Sequence, residues 1–436
     1  MDYSRTTKAN SFYTIVSGLL RFDDKLIDVQ GLWNDFVIWR ERINNGNYQS
    51  TFNYLNNSYY DGYLNNIFPE IRYSEEKLGV FHKDILNHLT RKKNLSEKLT
   101  IKVNSGKEKH IESKIDYIDL FLFPHNICLF SIKFYFDSPK NQNLGSISDF
   151  TNRIRSLQSN IEFEGQTISL QKFIESQVIL HLKPSENWTV FNPQLKSYVV
   201  IDLKDPLFDH ELDNLLFDIG NMSPLGSAKG EGNFAPSQSF YEDQLKNNKI
   251  SIFKNWSALS LFDTFTRVSM NFPDEYRSWE YDYFNIYIHC LYLKFFMYLT
   301  NTELSDLTSV TKRTEKIRDK FIEFINDNYH SHISYKFLPD LMQDKLLYSL
   351  EIPSEIEKME IKIQRINEHM QEKRQKAFNK VLITMTLLNI VGVVFTLSEW
   401  FVNLGLPRSM VYPFISTAIS AVVIGVIYYI IFGKKR

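Results

Sequence analysis

The chain has 436 residues, a formal net charge of −1 and 15% aromatic residues, carried mainly by 34 Phe and 24 Tyr. So even a charge balance gives no electrostatic footprint for nucleic acid, and no direct nucleic-acid partner is expected. The two cysteines, Cys128 and Cys290, sit apart in apolar runs, which excludes a disulfide framework and a thiolate metal site.

Met1-Asp2-Tyr3-Ser4-Arg5 is not followed by an apolar core, so no signal peptide is expected and the large front part is expected in the cytoplasm. Residues 11–22 read as a strand or strand pair that buries Phe12, Ile15, Leu19 and Leu20. Residues 32–43 have helical spacing through Trp33, Phe36, Val37, Trp39 and Ile43, and the Asn- and Tyr-rich stretch 44–63 reads as an irregular connection. Residues 99–103 form a short strand. Runs 115–123 and 127–136 flank Pro124-His125-Asn126 as a hairpin. Cys128, Phe130, Ile132, Phe134 and Phe136 then share one face, and His125 is a solvated turn residue. Residues 146–158 and 170–180 read as helices capped by Ser146 and Ser169, and 197–204 as a strand stopped by Pro206. This alternation predicts a mixed sheet covered by helices.

Asp202, Asp205, Asp209 and Asp213, with His210 among them, follow that strand closely. Oxygen ligands at such a junction suit Mg²⁺; the plainer alternative is an acidic first helical turn with solvated loop charges. Residues 220–239 form a Gly/Ser/Pro-rich loop in which Lys229, Gly230 and Gly232 are candidates for touching a nucleotide-like ligand. The loop lacks the Gly-Lys-Ser/Thr ending of a Walker A motif, and a mobile surface loop is the alternative.

From Asn255 the pattern reads as helix. Residues 276–299 are apolar nearly all round and predict a helix buried between layers, where Lys294 snorkels rather than catalyses. Helices over 305–328 and 335–350 follow. A stalk over 352–380 carries Ile352, Ile356, Met359, Ile363, Ile366 and Met370 in a heptad seam, which implies self-association.

Residues 381–402 and 411–432 lack ionisable groups apart from Glu399, and each is long enough as a helix to cross a hydrocarbon core of roughly 30 Å. Residues 403–410 are the connecting loop around Gly405-Leu406-Pro407, and 433–436 a basic tail. Lys373, Arg374, Lys376 and Lys380 precede the first span and Lys434, Lys435 and Arg436 follow the second. Both termini are therefore expected inside, at a bacterial inner membrane, with the loop outside. Trp400, Tyr412, Tyr428 and Tyr429 lie near the span ends. The expected fold class is an α+β membrane protein. A cytoplasmic mixed α/β domain with helical layers (1–254, then a helical region 255–351) precedes a long stalk helix and two C-terminal transmembrane helices.

This order of elements resembles the CorA family of divalent cation channels. Lys380-Val381-Leu382 resembles the start of the family's first span, Tyr412-Pro413 its second-span start, and Phe432-Gly433-Lys434-Lys435-Arg436 its basic tail. The likeness in residues covers about the last 60 positions, and the front domain resembles the family by order of elements alone. The family's Gly-Met-Asn filter, whose asparagine ring selects hydrated Mg²⁺, is absent, and its place falls on Trp400-Phe401-Val402. Glu399 and Asn403 lie beside it, and a ring of Glu399 side chains would attract cations at the mouth. Within the first span Met385, Asn389 and Thr396 share a face and are the candidate pore lining; the alternative is hydrogen bonding that glues a helix bundle. The resemblance implies a pentamer.

The chain also resembles divergent CorA-like effectors that accompany type III CRISPR systems. Those resemble channels opened by a nucleotide second messenger, the conjugate of S-adenosylmethionine with AMP (SAM-AMP). The leading expectation is a homo-oligomeric channel gated by a ligand on its cytoplasmic domain. A divergent Mg²⁺ transporter and a membrane-anchored scaffold are the alternatives. No nucleophile elbow, zinc spacing, Walker motif or carboxylate dyad marks the chain as an enzyme.

Overall fold

The computed structural model describes residues 3–39, 48–92, 98–105, 107–138, 140, 142–271, 278–305, 312–405 and 407–432. The chain divides into two compact units: Met1–Leu307 with Thr314–Lys358, and Thr308–Arg313 with Met359–Arg436. It is a mixed α+β protein with a long apolar C-terminal helix.

The first unit is built on a sheet with twelve strands among the described residues. They are β1 (Ala9–Arg21), β2 (Phe36–Ile38), β3 (Asn87–Arg91), β4 (Lys98–Ser105), β5 (Lys107–Phe123), β6 (Ile127–Tyr135), β7 (Asn160–Phe163), β8 (Gln166–Ser169), β9 (Lys196–Leu203), β10 (Lys249–Phe253), β11 (Trp256–Ser260) and β12 (Thr264–Met270). The order is β10-β11-β12-β9-β1-β6-β5-β4-β7-β8, with β3 joined to β5 and β2 to β3. Strand β12 runs parallel to β9, and the other described pairs are antiparallel. Long β5 serves two partners along one edge: β4 pairs with its first half and β3 with its second.

Helices cover both faces. Phe12, Val16 and Leu20 of β1, Phe130 and Phe134 of β6 and Val199 and Ile201 of β9 form one core with three helices: α4 (Leu144–Ile154), α5 (Leu170–Gln177) and α6 (Asp209–Gly220). On the other face lies α8 (Tyr283–Ser305), whose rings meet those of the strands: Tyr292 stacks on Phe123 at 4.0 Å and Phe284 meets Tyr198 at 5.3 Å. Between these elements in sequence come α1 (Val29–Asp35), α2 (Tyr48–Ser58), α3 (Asp61–Ile67) and α7 (Gln238–Asn248). Helices α9 (Lys312–Asn328) and α10 (Phe337–Ser349) follow α8, and α10 packs against α7, α8, β10 and β11.

The predicted hairpin is present as β5 and β6, and its alternating face lies in the core. The helix predicted to be buried on all sides is present as α8. Ser169 caps α5, its side chain accepting from Lys172 N at 3.2 Å. Several expectations are corrected. The spacing read as one helix over 32–43 spans two elements: α1 ends at Asp35, and Phe36, Val37 and Ile38 turn to pair with β3. The stretch 44–63 is helical where described. Its Asn-rich sequence is a poor helix former, and the helices are held instead by burial of Tyr59, Tyr63 and Leu64. The change to helix at Asn255 is also overturned, because β11 and β12 follow and complete the sheet beside β9. Both faces of these strands are covered, so they show no polar-apolar alternation. The cap of α4 is Asn143, which accepts from Ser146 N at 3.0 Å, rather than Ser146. His125 is half-buried rather than fully solvated: at φ 67° its ring lies 5.1 Å from that of Phe296 and 5.7 Å from that of Phe324.

Helix α11 (Ile352–Asn403) is a single 52-residue helix, and its start, up to Lys358, belongs to the first unit. Leu350 closes α10 and Glu351 takes φ 58° before α11 begins. In the second unit α11 ends where Leu404 N donates to Trp400 O and Gly405 N to Val402 O, each at 3.1 Å. Gly405, at φ 84°, takes the left-handed position that ends many helices. Helix α12 (Arg408–Phe432) follows. The basic tail 433–436, Leu406 and the side chain of Phe401 lie outside the described residues.

Candidate functional site

Residues of the predicted span, from Val381 onward, continue the stalk in the same helix. Among the described residues α11 is the one helix long and apolar enough to cross a membrane, and Tyr412–Val422 is a shorter apolar stretch. The large apolar residues Val381, Leu382, Met385, Leu388, Val393 and Phe395 are exposed, so the chain itself does not cover them. A stripe this long, uncovered by its own chain, needs an apolar surrounding.

Met385, Asn389 and Thr396 are four and seven residues apart on this unbroken helix, which keeps them on one side of it. All three are exposed. The threonine hydroxyls of the segment are satisfied locally: Thr384 bonds Lys380 O at 2.9 Å, Thr386 bonds Leu382 O at 2.8 Å and Thr396 bonds Gly392 O at 3.0 Å. The Asn389 amide has no such partner among the described residues. In an apolar surrounding that amide demands water or a group from another helix. Glu399, Trp400 and Asn403 are exposed and Val402 half-buried at the same helix end. Of the seam residues, Ile352, Ile356, Met359, Ile363 and Met370 are buried and Ile366 is half-buried.

The glycine-rich loop does cradle an anion, but the anion is the chain's own. Buried Asp218, in the last turn of α6, accepts from Gly226 N at 2.6 Å, Ala228 N at 2.8 Å and the Tyr3 hydroxyl at 2.7 Å. Burial raises its carboxyl above the ordinary value against these bonds. Lys229 is committed to Glu211 at 2.7 Å and to the Tyr3 carbonyl at 3.3 Å. Of the predicted nucleotide-contacting residues, Lys229 is thus engaged within the chain, and Gly230 and Gly232, at φ 87° and 71°, supply left-handed turns.

The four aspartates of the predicted metal site also have separate surroundings. Asp202 accepts from Ser269 Oγ at 2.7 Å and Asn10 Nδ2 at 2.9 Å, Asp213 pairs with Lys249, and Asp205 and Asp209 are exposed. No group of three His, Cys, Asp or Glu side chains among the described residues is placed to hold a metal ion. Lys294, read as a snorkelling residue, forms an ion pair with Glu355 at 2.6 Å.

Several buried titratable groups were not signalled by sequence. Burial pushes His289 down to about 3, with His330 adding to the shift, and pushes His125 down to about 4 with help from Lys320. Burial raises Asp282 to about 7 against the hydrogen bond from Tyr59. A histidine with a lowered folded pKa contributes full stability above its unfolded value near 6.5 and loses it as pH falls. Asp282 works the other way: the folded chain keeps a proton that the unfolded chain releases above about pH 4, so its contribution falls as pH rises toward 7. His289→Phe is therefore expected to reduce the loss of unfolding free energy between pH 7 and pH 5 by about 1–2 kcal/mol. Denaturant titrations at the two pH values check this, and an unchanged difference would show that His289 is not held neutral.

No protein-family model matches the chain, and no curated protein matches it. The resemblance to CorA-like channels accordingly rests on the residues quoted and the order of elements.

Proposed function

We propose that the chain is a membrane protein with two spans, residues 381–402 and 411–432, that assembles from copies of itself into a CorA-like ion channel. The mixed α+β unit lies in the cytoplasm, both termini face it, and the turn at Gly405 faces outward. A ligand on the large unit, of nucleotide chemistry such as SAM-AMP, biases its conformation, and α11 carries the change to the pore. The observation that carries this reading is the continuity of α11. One helix leaves the folded unit and becomes an uncovered apolar segment that carries the Asn389 amide, which has no hydrogen-bond partner among the described residues.

In a pore of this kind Asn389 faces water, whereas in a purely anchoring bundle it bonds to a neighbouring helix. Asn389→Leu is expected to change single-channel conductance by about threefold or more while assembly is retained, since a polar ring lining a pore sets its ion field. Planar-bilayer recording with size-exclusion chromatography tests this. Unchanged conductance removes Asn389 from the pore.

A further inference from the structure

The turn between β11 and β12 is a two-residue hairpin, closed by Leu261 N to Thr264 O at 2.8 Å, and its tip is Phe262-Asp263. Three cations from distant parts of the first unit converge on it. Lys196, at the start of β9, pairs with Asp263, and its Nζ lies 4.4 Å from the centre of the Phe262 ring. Lys294 of α8 places its Nζ 4.9 Å from the same ring. Arg155, closing α4, donates from Nε to Leu195 O at 3.0 Å, and its Nη2 stands 3.6 Å from Asp263 Oδ2 without a hydrogen bond. Beside them Tyr287 is buried, and its hydroxyl has no partner among the described residues. Burial, opposed by Asp263 and reinforced by Arg155 and Lys294, lowers the Lys196 ammonium from its usual value.

The charges are unequal in number and in anchorage. Three cations face two carboxylates, Asp263 and Glu355. The side chains of Arg155, Lys196 and Lys294 are only 6%, 16% and 17% exposed, whereas those of Asp263 and Glu355 are 46% and 30% exposed. The cations are thus fixed on buried elements, and the anions that answer them sit at an exposed turn and in the first turn of α11. Carboxylates with this much access to solvent are more readily exchanged for a stronger anion than the buried cations are moved, and a phosphate brings up to two charges and three acceptor oxygens. The Phe262 ring, over which Lys196 and Lys294 lie, is still 47% exposed, and that exposed part is what a planar ligand would stack on.

We infer that Arg155, Lys196 and Lys294 around Phe262 form a binding site for a phosphorylated planar ligand with the chemistry of a mononucleotide. The phosphate takes Lys294 and Lys196, reaches the buried Nη2 group of Arg155 as Asp263 moves aside, and the ring stacks on Phe262. In taking Lys294 the phosphate displaces Glu355 and frees the first turn of α11. That consequence rests on the ligand-gated reading above, while the binding does not. Sequence alone carried no sign of the site, because its residues are far apart in the chain and unremarkable one by one.

Isothermal titration of the full chain in detergent tests it, with AMP as the probe and inorganic phosphate as the arm for phosphate alone. The expected result is saturable AMP binding about tenfold or more tighter than phosphate. Phe262→Ala should weaken AMP about tenfold and leave phosphate unchanged, and Lys294→Gln should weaken both. Glu355→Gln, an isosteric change at a half-buried position, should tighten AMP severalfold by removing the competing anion. Absence of AMP binding at millimolar concentration, or a Glu355→Gln chain that binds AMP no better, would overturn the inference and leave the cluster a set of ion pairs holding the hairpin. Binding without ion flux would keep the site and sink the channel; flux without AMP binding would do the reverse.

Discussion

Asp218→Ala is expected to destabilise the first unit by about 3 kcal/mol, among the largest effects of any single polar substitution in it. The carboxylate is buried, so alanine leaves three donors, Gly226 N, Ala228 N and the Tyr3 hydroxyl, without their acceptor. Each orphaned buried donor costs about 1–3 kcal/mol, partly recovered as the loop relaxes toward solvent. Asp218→Asn keeps one acceptor oxygen and is expected to recover about half of the loss. Tyr3→Phe removes a single bond and is expected to cost about 1 kcal/mol. Urea unfolding followed by tryptophan fluorescence measures all three. A loss under about 0.5 kcal/mol for Asp218→Ala would show that the loop does not depend on this carboxylate.

The second large effect is expected at Gly18. It lies on β1 directly across from Phe130 of β6, and the Phe130 ring covers it: a Cβ built on Gly18 would stand 2.2 Å from Phe130 Cζ. Phe130 is fully buried and sits edge-on to Trp188 at 5.9 Å, so the ring has no free direction in which to move. Gly18→Val is expected to cost about 3 kcal/mol or more through overpacking. Gly18→Ala combined with Phe130→Leu should lose clearly less than the sum of the two single losses, because the smaller side chain vacates the space that the new methyl needs. Additive losses would mean that the ring does not set the requirement for glycine.

What sequence revealed and what it hid have physical causes. The β5–β6 hairpin and α8 were legible because burial there leaves a pattern: alternation on one face of β6, and apolarity all round α8. Strands β11 and β12 were hidden because both their faces are covered and their serines and threonines lie buried. Helices α2 and α3 were hidden because tertiary contacts, such as that of Tyr63 in α3 with His289 in α8 at 5.3 Å, override poor intrinsic propensity. In the glycine-rich loop the capacity to hold an anion was readable in the glycines. Its occupant was not, since Asp218 reads in sequence as an ordinary acid near a helix end. The acidic group Asp202, Asp205, Asp209 and Asp213 was misleading because nearness in sequence did not become convergence in space.

The continuity of α11 and the exposure of its apolar residues are features of the structure. A second span, self-assembly and a pore are what those features are proposed to serve.

The most direct test is ion flux through the purified full-length chain reconstituted in liposomes, with and without nucleotide added on the side of the large unit. The channel reading predicts flux that depends on the protein and rises when nucleotide is supplied. Correctly inserted protein that passes no ion under any of these conditions would contradict it and leave the C-terminal helices as an anchor.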